Sequence, residues 1–172
     1  GTIIGGSNGI YLSSSTAGSI SNSGTIGGRD GAVLISNSTV GSITNEVGGT
    51  ISGTGQTALR IQNSSAISGG IVNDGTISGA QTGLYVSNGS SVAGDITNSG
   101  TIEGVRSSTS GTGFGLVVTV GSTVGTITNS NAISGGNFGI HIVTGSSVGS
   151  IANNAGGSIA GSGGIGLFTG SS

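Results

Sequence analysis

The stretch Asp95-Ile96-Thr97-Asn98-Ser99-Gly100-Thr101-Ile102 carries the pattern on which the fold turns. An isoleucine is followed two residues later by an asparagine, then by a glycine and a closing Thr-Ile. Working outward, the asparagine recurs at Asn22, Asn45, Asn73, Asn98, Asn129 and Asn153, at intervals of 23, 28, 25, 31 and 24 residues. The closing isoleucine recurs at Ile3, Ile26, Ile51, Ile77, Ile102, Ile133 and Ile159. A third register, before the asparagine, holds Ile20, Ile43, Ile71, Ile96, Ile127 and Ile151, and a fourth holds Ala17, Val40, Ile67, Val92, Val124 and Val148. A fifth element is a small residue followed by apolar-x-apolar, from Gly9-Ile10-Tyr11-Leu12 through Gly83-Leu84-Tyr85-Val86 to Gly139-Ile140-His141-Ile142, with a last copy read at Gly166-Leu167-Phe168-Thr169.

Glycine and β-branched residues weaken a helix. Apolar residues at period two, in short runs between Gly, Ser and Asn turns, read as strands. A unit of roughly 25 residues with three such strands cannot bury its own apolar face, whereas stacked units can. Each strand then pairs in parallel with its copy in the next coil, about 4.8 Å away. The expected fold is all-β, a single parallel β-helix (β-solenoid) over residues 1–172 with 23–31 residues per turn. It has six to seven turns, with partial turns at 1–8 and 164–172, and a length of about 30 Å. The six asparagines are expected to form a structural ladder. Each amide can donate to and accept from its copy one coil away, and Asn tolerates the left-handed backbone that a sharp corner needs.

Composition narrows the function classes. The 40 glycines follow no three-residue period and no proline is present, which excludes collagen. Ile, Val and Leu recur at fixed places, which argues against disorder. A net charge of −2 offers no footprint for nucleic acid or an anionic membrane, and no apolar run approaches the roughly 18 residues of a spanning helix. The absence of cysteine excludes disulfide frameworks and thiolate metal sites, and suits export through an oxidising compartment. A chain that starts at Gly1 with no visible signal peptide is expected to be a processed product or a segment of a longer one.

Runs such as Gly41-Ser42-Ile43-Thr44-Asn45, Asp95 to Ile102 and Gly125-Thr126-Ile127-Thr128-Asn129, with the recurring Gly-Thr-Ile-x-Gly, resemble the passenger regions of bacterial autotransporters. The resemblance covers essentially the whole chain. It implies a right-handed parallel β-helix, exported to the bacterial cell surface or beyond through a C-terminal β-barrel that these residues do not include. Family members include adhesins, autoaggregation factors and some enzymes carried on the stalk. The motif speaks for architecture, and it carries no catalytic residues onto positions here.

No residue set qualifies for a catalytic, cofactor or metal role. His141, the only histidine, occupies the outward x of an apolar-x-apolar strand, which reads as a surface residue. Glu46 and Asp74 each follow a ladder asparagine in successive coils and so are expected about 5 Å apart. Such a pair could do acid–base work on a polysaccharide or hold a cation, although two solvated corner acids is the plainer reading. Asp95 and Glu103 read as lone surface charges, and Arg29-Asp30 as a local charge pair. Asn37-Ser38-Thr39, Asn63-Ser64-Ser65 and Asn88-Gly89-Ser90 match the N-glycosylation acceptor pattern, as chance allows in so Asn- and Ser-rich a chain. Thr2, Thr25, Thr50, Thr76 and Thr101 form a threonine column, but without the paired T-x-T columns that an ice-binding face wants.

Two features remain as candidate interaction sites. The outward positions Tyr11, Leu34, Arg60, Tyr85, Val117, His141 and Phe168 are expected to form one exposed stripe. The step from Ile102 to Ile133 is 31 residues and predicts a loop insertion over 105–111 that includes Arg106. The combined expectation is a non-catalytic structural or adhesive rod of a secreted or surface protein, or a head-to-tail filament subunit. Its partners would be other copies of itself or the rest of a longer solenoid, with host or matrix glycans or proteins as ligands. The alternatives are a polysaccharide-acting β-helix enzyme and a glycan- or protein-binding module that uses the stripe.

Overall fold

The computed structural model describes residues 1–105 and 113–172. The predicted insertion at 105–111 therefore lies outside the described residues except for Val105. The chain is an all-β solenoid of about six turns. Each coil contributes to three parallel sheets. In the fourth coil the strands are Thr76–Gly79, Thr82–Val86, and the pair Ser91–Val92 and Ile96–Asn98. The first and second sheets have seven strands each and the third has eight.

Register follows the sequence columns. Ile26 pairs with Ile3 and Ile51, and Ile102 with Ile77 and Ile133. Ile43, Ile71, Ile96 and Ile127 stack in the third sheet. These columns point inward, and Ile43, Ile51, Leu59, Ile77, Leu84, Ile96 and Ile102 are all 0% exposed. A fully buried side chain of this size contributes about 1.5–3 kcal/mol, so the apolar columns supply the main driving force along the axis.

The third sheet accounts for one residue of the difference between coils, and the corners take up the rest of the step from Asn45 to Asn73. Val40 and Ile43 are three positions apart, whereas Ile67 and Ile71, and Val92 and Ile96, are four apart. The extra residue interrupts the ladder as a bulge does. The strand is continuous over Thr39–Asn45 but split into Ala66–Ile67 and Ile71–Asn73 in the next coil.

The asparagine ladder is present over all six rungs. The Nδ2 of Asn22, Asn45, Asn73, Asn98 and Asn129 donates to the Oδ1 of the next rung at 2.8, 2.8, 2.7, 2.8 and 2.8 Å. The same amides also donate to backbone carbonyls, as Asn73 does to Thr101 at 3.0 Å. Asn45, Asn73, Asn98 and Asn129 are 0% exposed, so each amide must find its partners within the protein.

The left-handed corner lies elsewhere than expected. None of the ladder asparagines has a positive φ. Among residues other than glycine, that conformation belongs to the turn after the second sheet, at Ser14, Asn37, Asn63, Ser64, Asn88, Val120, Thr144 and Thr169, with φ between 47° and 57°. The ladder positions are strand ends, where the backbone stays extended and the side chain turns inward. The corner asparagines Asn37, Asn63 and Asn88 are those of the three glycosylation-like triplets. Those triplets thus have a structural origin: an Asn for the corner, then a Ser that belongs to a second buried ladder.

That second ladder is of serine. The backbone N–H of Ser15, Ser38, Ser65, Ser90 and Ser122 donates to the Oγ of the next rung at 3.0, 3.2, 3.1, 3.2 and 3.1 Å. Ser38, Ser65, Ser90, Ser122 and Ser146 are at most 4% exposed. The hydroxyls replace water for N–H groups that the turn removes from the sheet.

Candidate functional site: the outward face of the second sheet

The second sheet displays the predicted stripe. Tyr11, Leu34, Arg60, Tyr85, Val117 and His141 pair in one register through six coils. Phe168 does not continue it. Ile165 pairs with Ile140 and Gly166 with His141, two residues earlier than the sequence alignment predicts. This register puts Ile165 and Leu167 at the two apolar positions of the strand, where the other would put Thr169 at one of them. Phe168 still reaches the face: its ring lies edge-on to Phe138 and His141 at 5.7 and 5.3 Å between centroids.

Val117 also departs from expectation, because it is only 4% exposed. It is flanked in register by Tyr85 and His141, and Phe114 lies three residues upstream. Phe114 and Phe138 are the residues of this face that the sequence reading missed. They occupy the column held by Thr57 and Thr82 in earlier coils. Their signal was two phenylalanines at one offset from the stripe, in a chain with three. The ring of His141 stacks on Phe114 at 4.9 Å and on Phe138 at 5.0 Å, nearly parallel to both. Burial among these rings holds the His141 pKa below its ordinary value.

Where the phenylalanines give way to Thr82 and Thr57, the face opens into a groove of about 320 Å³. Arg60, Tyr85, Phe114, Val117 and His141 line it, together with the amides of Gln56 and Gln81. The Arg60 guanidinium lies over the Tyr85 ring at 5.1 Å from its centroid, a cation–π contact.

The acids are engaged elsewhere. Glu46 accepts a hydrogen bond from Ser21 Oγ at 2.7 Å, in the preceding coil, and Asp74 accepts one from Ser99 Oγ, in the following coil. The two carboxylates thus bond to opposite neighbours. Glu103 accepts from Ser78 at 2.8 Å, Asp95 from the Thr126 N–H at 3.0 Å, and Asp30 from Ser7 at 2.9 Å. The Ser7 hydroxyl and Arg29 hold the Asp30 carboxyl below the usual carboxylate range. All five acids therefore clip one coil to an adjacent one. Among the described residues no three His, Cys, Asp or Glu side chains gather as a metal site would require.

No protein-family model, curated protein or solved structure matches the chain. Among the described residues, no helix is long and apolar enough to cross a membrane. The threonine column Thr2, Thr25, Thr50, Thr76 and Thr101 is in register on the first sheet, and ends at Ala132.

Proposed function

We propose that the chain is a non-catalytic rod segment of a secreted or surface-exposed bacterial protein, serving adhesion, aggregation or spacing. One observation carries the reading: two buried polar ladders and the apolar columns run in register through every coil, so stiffness accumulates along one axis. The resemblance to autotransporter passengers supports the export route and the surface location. Copies of the same chain, or further coils of a longer solenoid, are the natural neighbours of such a rod. The polysaccharide-cleaving alternative is disfavoured by the engagement of all five acids in coil-to-coil hydrogen bonds.

The test is display of the chain on a non-adherent bacterium. Cells should aggregate or adhere to matrix glycans or proteins. A folded, displayed chain that changes neither property would refute the adhesive role. Release of new sugar ends from any polysaccharide would refute the non-catalytic one.

A further inference from the structure

We propose that the groove beside Arg60 binds an acidic oligosaccharide, a sugar chain bearing carboxylates. The inference rests on the adhesive part of the function proposed above and names the ligand class.

The charge argument starts from Arg60. It is half-buried, and its Nε is shut off from solvent without a hydrogen bond among the described residues. The one ion pair recorded among them joins Arg29 to Asp30. All five acids of the chain have partners other than Arg60. A buried N–H without an acceptor is costly, and the rest of the half-exposed guanidinium faces the groove with a planar fork that matches a carboxylate in two parallel hydrogen bonds. An anionic ligand completes this site.

The groove decides which anion. Its lining mixes the aromatic side chains of Tyr85 and Phe114 with the amides of Gln56 and Gln81. Phe114 stacks on Phe138 and His141, whereas its neighbour in the preceding coil is the small Thr82. That leaves ring surface open to the groove. Gln56 and Gln81 lie in adjacent coils, joined by a backbone hydrogen bond of 2.8 Å. Amides repeated at the coil spacing of about 4.8 Å beside an aromatic surface suit a polymer with hydroxyls on its edges and C–H groups on its faces. An extended pyranose chain has these features and advances by close to one coil per sugar. A peptide would instead seek a free strand edge or a deeper apolar pocket.

The test titrates the purified chain with a galacturonic acid hexamer, a neutral glucose hexamer and an oligoglutamate peptide, read by calorimetry and by the ring signals of Tyr85 and His141. The galacturonate should bind and perturb both rings, and its affinity should fall as salt rises. Arg60→Gln should weaken it at least tenfold and Phe114→Leu at least threefold, with Arg60→Lys retaining part of the binding. Unchanged circular dichroism and thermal unfolding would certify each variant as folded. Equal binding by Arg60→Gln, equal binding of the neutral hexamer or the peptide, or no binding of the galacturonate would each overturn the proposal. The rod reading stands or falls separately, on aggregation and adhesion of the displayed chain.

Discussion

Replacing Asn73 by alanine should cost far more than its size implies. Asn73 is 0% exposed. Its Nδ2 donates to Asn98 Oδ1 at 2.7 Å, to Thr101 O at 3.0 Å and to Gly75 O at 3.2 Å, and its Oδ1 accepts from Asn45 at 2.8 Å. Alanine deletes both rung bonds. Asn45 keeps two backbone acceptors for its Nδ2, Gly49 O and Thr76 O, both at 3.1 Å, so its loss is softened. Asn98 Oδ1 loses the amide that serves it. A typical hydrogen bond contributes about 1 kcal/mol net, and an orphaned buried group costs about 1–3 kcal/mol. The sum is about 3 kcal/mol, or about 6–12 °C in Tm for a chain of this length. Denaturant and thermal unfolding, followed by circular dichroism, would measure it. Asn153→Ala is the internal comparison, because Asn153 is exposed and should cost about 1 kcal/mol or less. Coils couple mainly to their neighbours, so the Asn73 variant should also broaden its transition. Equal losses at Asn73 and Asn153, or a loss under about 1 kcal/mol at Asn73, would refute the ladder as a stabilising device.

Further outcomes follow from the corners and the aromatic cluster. Val120 holds φ 53°, which a β-branched residue adopts at a cost, so Val120→Asn should stabilise by about 1 kcal/mol; a measured loss would contradict the assigned corner. A Cβ on Gly79 would sit 1.9 Å from the Thr82 carbonyl oxygen, so Gly79→Ala should destabilise by about 3 kcal/mol, while Gly6→Ala, which meets nothing within 4 Å, should be near neutral. The lowered pKa of His141 means that the unfolded chain takes up the proton first as pH falls below about 6.5. Stability should therefore decline from that pH downward until the folded pKa is passed. His141→Gln should remove this part of the slope, and identical pH profiles for the two proteins would show that burial does not set the histidine's protonation.

The columns were legible in the sequence because one rung repeats one chemistry. The inward isoleucines Ile3 to Ile159 and the asparagines Asn22 to Asn153 keep their identity through coils of unequal length, and the structure pairs them as read. The left-handed corner was not legible, because its column drifts from Asn37, Asn63 and Asn88 to Val120 and Thr144. The backbone there is fixed by the stack rather than by the local residue. The serine ladder was hidden by the abundance of serine, and only burial separates Ser90 from its neighbours. In the candidate site, the stripe was read from period-two alternation. The groove also depends on Phe114, which belongs to a neighbouring column, and Val117 within the stripe is buried. Likewise, spacing placed Glu46 beside Asp74 but could not reveal that Ser21 and Ser99 draw the two carboxylates to different coils.

Every rung of the asparagine column presents the same donor upward and the same acceptor downward. The 25 residues separating Asn73 from Asn98 could thus be excised, or copied, and the cut faces would still meet as chemical equals. Length becomes a quantity that unequal recombination can tune without redesigning a core, and a gene of this kind can lengthen or shorten its product in whole coils.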